Sequence, residues 1–163
     1  MLKMMNTNTS AWVSYPAPNP WAKMRLFCLP YAGGSGNIFY PWRDKLPKTV
    51  ELGIIQLPGR ATRMSEQPFS QMLPLVKDLT AALQDHLDKP FCLFGHSMGA
   101  AVAFETACLL EEQGHHVEHL FVGGRRAPQV SDPDAPTWQL PESEFIAELK
   151  RLNGTPAEAL EHA

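Results

Sequence analysis

Four short apolar runs punctuate the chain, at residues 25–29, 50–57, 91–94 and 119–122. Each has the length of a strand and is followed by a polar or amphipathic stretch. This is the rhythm of a parallel sheet buried on both faces, with helices on both sides. Between the first two runs, residues 37–46 can form a short helix if Pro41 lies in its opening turn. Leu73, Val76, Leu79, Thr80, Leu83 and Leu87 then recur at helical spacing behind a candidate cap at Ser70. The Ala-rich segment 98–113 predicts a helix that ends against Gly114.

Beyond the fourth run the pattern changes. Residues 125–141 are rich in Pro, Asp and Arg and read as a long surface connection. Pro141 suits the start of a helix carrying Phe145, Ile146, Leu149 and Leu152, stopped at Asn153 and Gly154. Thr155, Pro156 and Glu158 then combine an N-cap, a first-turn proline and a capping-box acid, but only five residues follow Glu158. A helix so short is not stable alone, so the expectation is a chain shorter than the fold it encodes, with residues 119–122 left as an edge strand. Residues 1–20, rich in Asn, Thr and Pro and without an apolar core, are expected to be a flexible extension, with the folded domain at 21–163.

Composition narrows the classes. Fourteen basic against 17 acidic residues, net charge -3, provide no basic excess for a nucleic-acid backbone. No apolar run approaches the roughly 20 residues that cross a bilayer. Cys28, Cys92 and Cys108 lie apart inside apolar segments, so they are expected to be buried, reduced thiols in a cytoplasmic protein without a metal site.

The chemistry-bearing motif is Gly95-His96-Ser97-Met98-Gly99, a G-x-S-x-G placed between the third run and the Ala-rich helix. A sharp turn from strand to helix lifts Ser97 above the carboxyl end of a sheet as a nucleophile, and the two glycines leave room for neighbouring backbones. The Met98 N–H, at the helix N-terminus, is one candidate oxyanion donor. The second is the N–H of Ala32, in the Gly-rich loop 30–36 after the first run. That loop has neither the lysine of a P-loop nor G-x-G-x-x-G spacing, which argues against nucleotide binding.

Several stretches together resemble the type II thioesterases that serve nonribosomal peptide and polyketide synthases. They are LFCLPYAGGSG at 26–36, QLPGR at 56–60, LFGHSMGA at 93–100, GGRRAP at 123–128 and FIAELKRLNGTP at 145–156. The resemblance implies an α/β-hydrolase fold, here in part, with the start of a helical lid from about residue 128. It implies an enzyme, without a cofactor of its own, that clears acyl or aminoacyl groups from the phosphopantetheine arm of acyl or peptidyl carrier proteins during antibiotic or siderophore synthesis. Ser97 would attack the thioester, with Ala32 and Met98 receiving the oxyanion. Arg60, Arg125 and Arg126, each following a strand end, are candidates to meet the arm's phosphate or an acidic carrier surface.

The same family uses an acid and a histidine that follow two further strands, and neither is recognisable here. His96 reads as part of the elbow with its ring turned away from Ser97. His86, His115, His116 and His119 fall at the amino ends of strands and are expected to face solvent, and nothing places His162. Phe39, Trp42 and Leu46 read as packing. Without a base the chain is expected to be nearly inactive. Two other readings stay open: a non-catalytic remnant that binds carrier proteins or acyl chains, and a serine esterase acting on a free small molecule.

Overall fold

The computed structural model describes residues 11–130 and 140–151. Five strands form one sheet in the order β1-β3-β2-β4-β5, with β1 Val13–Ser14, β2 Met24–Leu29, β3 Val50–Ile55, β4 Phe91–His96 and β5 His119–Gly123. All neighbours are parallel except β1, which runs antiparallel to β3 through Val13 and Ile55. Two helices, α1 Met72–Leu83 and α2 Met98–Glu112, make the crossovers into β4 and β5.

The alternation of side chains sorts the core into two layers. Phe27, Leu29, Phe91 and Leu93 join Val76, Leu79, Leu83, Val102, Ala103 and Leu110 on the face covered by α1 and α2. Cys28, Leu52 and Ile54 look the other way, onto Phe39, Trp42 and Leu46. The segment over that second face, Gly36–Asp44, is a 3-10 helix with Pro41 inside it. A proline beyond the first turn removes the N–H that an α-helix would use. The packing role expected of Phe39 and Trp42 is what the structure has: their rings meet edge-on at 5.3 Å and both meet Phe94.

This connectivity has a consequence for function. The chain leaves β2 toward β3 over one face, and leaves β4 toward β5 over the other. The two connections diverge at the carboxyl ends of β2 and β4, the place where open α/β sheets bind ligands. Gly95, opposite Leu29 in the register, marks that point.

Several expectations are corrected. Residues 11–20 are not a free extension. Val13 is 1% exposed in the core, and Asn19 donates its N–H to Glu51 at 2.8 Å and its side-chain amide to the Lys48 carbonyl. The strand is only two residues, Val13 and Ser14, too short for an alternation to show in the sequence. Ser70 does not cap α1, whose N-cap is Gln71, without a side-chain bond, and the helix passes at Gln84–His86 into a 3-10 turn. Cys108 is exposed on α2, whereas Cys28 and Cys92 are buried and burial pushes their thiols up. His86 does not face solvent: it is 8% exposed and its Nδ1 shares a 2.9 Å hydrogen bond with the Tyr15 hydroxyl.

Gly114 does end α2. Its φ of +87° suits glycine, and the bonds Gly114 N–H to Glu111 O and His115 N–H to Leu110 O form a Schellman motif. β5 is an edge strand among the described residues, with Phe121 and Val122 about half exposed.

The chain divides into two compact units, one ending at Arg125 and one beginning at Arg126. In the second, α3 spans Glu142–Arg151, and the Pro141 carbonyl accepts from Glu144 and Phe145 at its start. His162 and the helix expected after Thr155 lie outside the described residues. None of the described helices is long and apolar enough to cross a membrane.

Candidate active site

At the carboxyl end of the sheet, β4 turns directly into α2 and the turn is Ser97. Its backbone sits at φ +53°, ψ -114°, a region that side chains other than glycine rarely adopt and that costs of order 1–3 kcal/mol. The surroundings explain why the chain accepts this. A Cβ on Gly95 would run into the backbone of Gly99 and Ala100, and one on Gly99 into the carbonyl oxygens of Leu29 and Pro30. α2 therefore starts pressed against the end of β2, which only two glycines permit. On the other side the Ser97 N–H donates to the Gly123 carbonyl at the end of β5, 2.8 Å away. Packing and this one bond hold the serine up between β2 and β5.

Ser97 is partly buried and its hydroxyl bonds to no described residue. The Met98 N–H likewise donates to no carbonyl or side chain among them. Nor does that of Ala32, which stands exposed in the turn 31–34. That turn is closed by Gly34 N–H to Tyr31 O at 3.0 Å and carries φ +74° at Gly33, the geometry of a type II turn. It begins next to the Leu29 and Pro30 carbonyls that touch Gly99, so the loop bearing Ala32 and the elbow bearing Ser97 spring from one contact.

His96 turns its ring edge-on to Tyr31, 6.0 Å between centroids, and against the backbone of Gly123 and Gly124. A Cβ on Gly124 would lie 2.6 Å from the His96 ring. The imidazole thus packs between the two loops that flank the elbow. His115, His116 and His119 cluster where α2 descends to the amino end of β5. Among the described residues no acid or histidine bonds Ser97, and no cluster suited to a metal ion occurs.

Of the three candidate arginines, Arg125 and Arg126 are exposed beyond β5. Arg60 is half-buried and sends Nη1 back to the Gly34 carbonyl at 3.3 Å. Sequence reasoning missed its neighbour Arg63, which is 7% exposed, bonds the Gln56 carbonyl at 2.8 Å, pairs with Glu66 and lies 4.3 Å over the Trp12 ring. Nothing in the spacing of charges distinguishes these two arginines.

A nucleophile elbow at the switch point of a mostly parallel sheet defines an α/β-hydrolase. The thioesterase domain model matches residues 24–163, and the chain belongs to that family. It is 39% identical to the linear gramicidin dehydrogenase LgrE of Brevibacillus parabrevis over 99% of this chain and 62% of that protein. With the thioesterase PikA5 of Streptomyces venezuelae the identity is 40%, over 93% of this chain and 54% of that protein. The type II thioesterase BorB from the borrelidin biosynthetic cluster superposes with a TM-score of 0.80 at 36% identity, over 93% of this chain and 62% of that structure. The chain thus spans less than two thirds of the length of these relatives. The dehydrogenase name of LgrE has no counterpart in the glycine spacing here, where Gly34 and Gly36 are followed by Phe39 at the third glycine's place.

Proposed function

We propose that this chain carries the nucleophile and oxyanion site of a type II thioesterase, which hydrolyses acyl or aminoacyl thioesters on the phosphopantetheine arm of carrier proteins. The observation that supports it best is the Ser97 elbow, whose hydroxyl bonds to no described residue, with the Met98 and Ala32 amides likewise donating to none. Ser97 Oγ attacks the thioester carbonyl, the Ala32 and Met98 amides hold the negative oxygen, and the arm departs as a thiol. Water then releases the acid from the acyl-serine. Arg125 and Arg126, exposed past the end of β5, are placed in this reading to meet the arm's phosphate or an acidic carrier. No cofactor is assigned.

The attack needs a base for the serine proton. By family resemblance it is a histidine oriented by an acid, both following two further strands. Among the described residues no histidine or acid bonds Ser97. The test supplies the base from solution. With imidazole present, acyl-carrier protein should leave an acyl adduct on the chain, seen by intact mass, and Ser97→Ala should abolish it. An adduct indifferent to Ser97→Ala, or formed faster from a free oxygen ester than from the carrier thioester, would overturn the reading.

A further inference from the structure

The turn that carries Ala32 has few internal restraints. One main-chain bond closes it, Gly33 gives it conformational latitude, and Ala32 itself is exposed. An oxyanion donor works only if it is held within a few tenths of an ångström of its place before the reaction begins. Something outside the turn has to hold it.

The neighbouring strand supplies the restraint. β3 lies beside β2, and the chain leaving β3 is braced by Arg63: its Nη1 bonds the Gln56 carbonyl, and its main-chain carbonyl accepts from Gly59 at 3.0 Å. Gly59 at φ +78° packs on Pro68, and Ala61 is held at φ +48°. From this braced loop Arg60 reaches across to the carbonyl that ends the turn, Gly34 O. Gln56 comes close from below, since a Cβ on Gly36 would lie 2.8 Å from its Nε2. The guanidinium of Arg60 is half-buried, its Nε meets no partner among the described residues, and burial pushes its pKa down. A cation kept partly desolvated for a single bond is more than surface decoration needs.

We propose that Arg60 is a positioning residue of the oxyanion site, fixing the turn that presents the Ala32 amide through its bond to the Gly34 carbonyl. This rests on the thioesterase reading of Ser97 and adds to it. Arg60 touches neither acyl group nor nucleophile; it acts through the turn.

The experiment follows single-turnover acylation of Ser97 from acyl-carrier protein in imidazole, for the unaltered chain, Arg60→Gln and Arg60→Lys, together with hydrogen exchange at the Gly34 amide. Arg60→Gln should acylate roughly 10- to 100-fold more slowly at saturating carrier, with unchanged half-saturation. Millimolar guanidinium should restore much of the rate. Arg60→Lys, which keeps the charge and one donor, should fall between, and it carries the test if Arg60→Gln does not fold. The Gly34 amide, bonded to Tyr31 O, should exchange faster in Arg60→Gln. Unchanged acylation overturns the proposal, and so does a rise in half-saturation alone, which would make Arg60 a carrier contact. If the unaltered chain forms no Ser97 adduct, the thioesterase reading fails, and Gly34 exchange alone then decides whether Arg60 holds the turn.

Discussion

The two ends of the sheet treat polar groups in opposite ways. At the amino end, Arg25 is 7% exposed, and its guanidinium donates to Glu51 at 2.9 and 2.7 Å, to Asp88 at 2.7 Å and to the His86 carbonyl, with its Cζ over the Tyr15 ring, 5.0 Å from the centroid. Burial alone would lower the Arg25 pKa, but its bonds to Asp88 and Glu51 raise it, so the cation is permanent. At the carboxyl end, the Ser97 hydroxyl, the Ala32 and Met98 amides and Arg60 Nε have no partner among the described residues. The amino end saturates its buried charge with bonds, whereas the carboxyl end, beside a saturated Arg63, leaves several donors open. Unsatisfied donors gathered around a strained backbone are the mark of a site, whereas a saturated buried network is the mark of a joint.

The largest test of this contrast is at the joint. Glu51→Leu strands two guanidinium donors of Arg25 and the Asn19 amide, and should lower stability by about 3–5 kcal/mol in urea unfolding. An unchanged midpoint would dissolve the distinction between the two ends.

At the other end the sign should reverse. Ser97→Gly removes the side chain that makes φ +53° costly, and should raise stability by about 1 kcal/mol while abolishing the acyl adduct. Ser97→Ala, which keeps its Cβ, should not be stabilised in this way.

The smallest effect is that of pH on His86. Burial, then the charge of Arg25, push its pKa down, against weaker opposing pulls from Asp85, Asp88 and Glu51. The folded protein therefore keeps it neutral, while the unfolded chain takes up a proton below about pH 6.5. Its contribution is complete above that pH and is lost as pH falls through the folded-state value. The acid-side decline in melting temperature should be shallower in His86→Gln, measured against the unaltered chain at each pH.

How far the sequence reached can be argued from particular residues. The four main strands and α2 were legible because residues such as Phe27, Cys28 and Leu29, or Ile54 and Ile55, are buried with neighbours of their own kind, and such runs are visible one-dimensionally. The elbow was legible because strand, glycine spacing and helix onset fall within a few residues. His86 was misjudged because its partner Tyr15 lies 71 positions away, in a segment whose composition suggested no structure. Cys108 was misjudged because an apolar setting in sequence does not say which side of α2 faces out.

What the sequence determined by itself was therefore local: strand runs, the α2 helix with its Gly114 stop, and a serine raised between glycines. What only the tertiary structure decided was which distant groups meet: the Ser97 amide with Gly123, the His96 ring with Tyr31, and Arg60 with the carbonyl of Gly34. The physical reason is that backbone propensity and hydrophobic periodicity act over a few residues, whereas a hydrogen bond between two loops depends on strand order and register, which no single segment encodes.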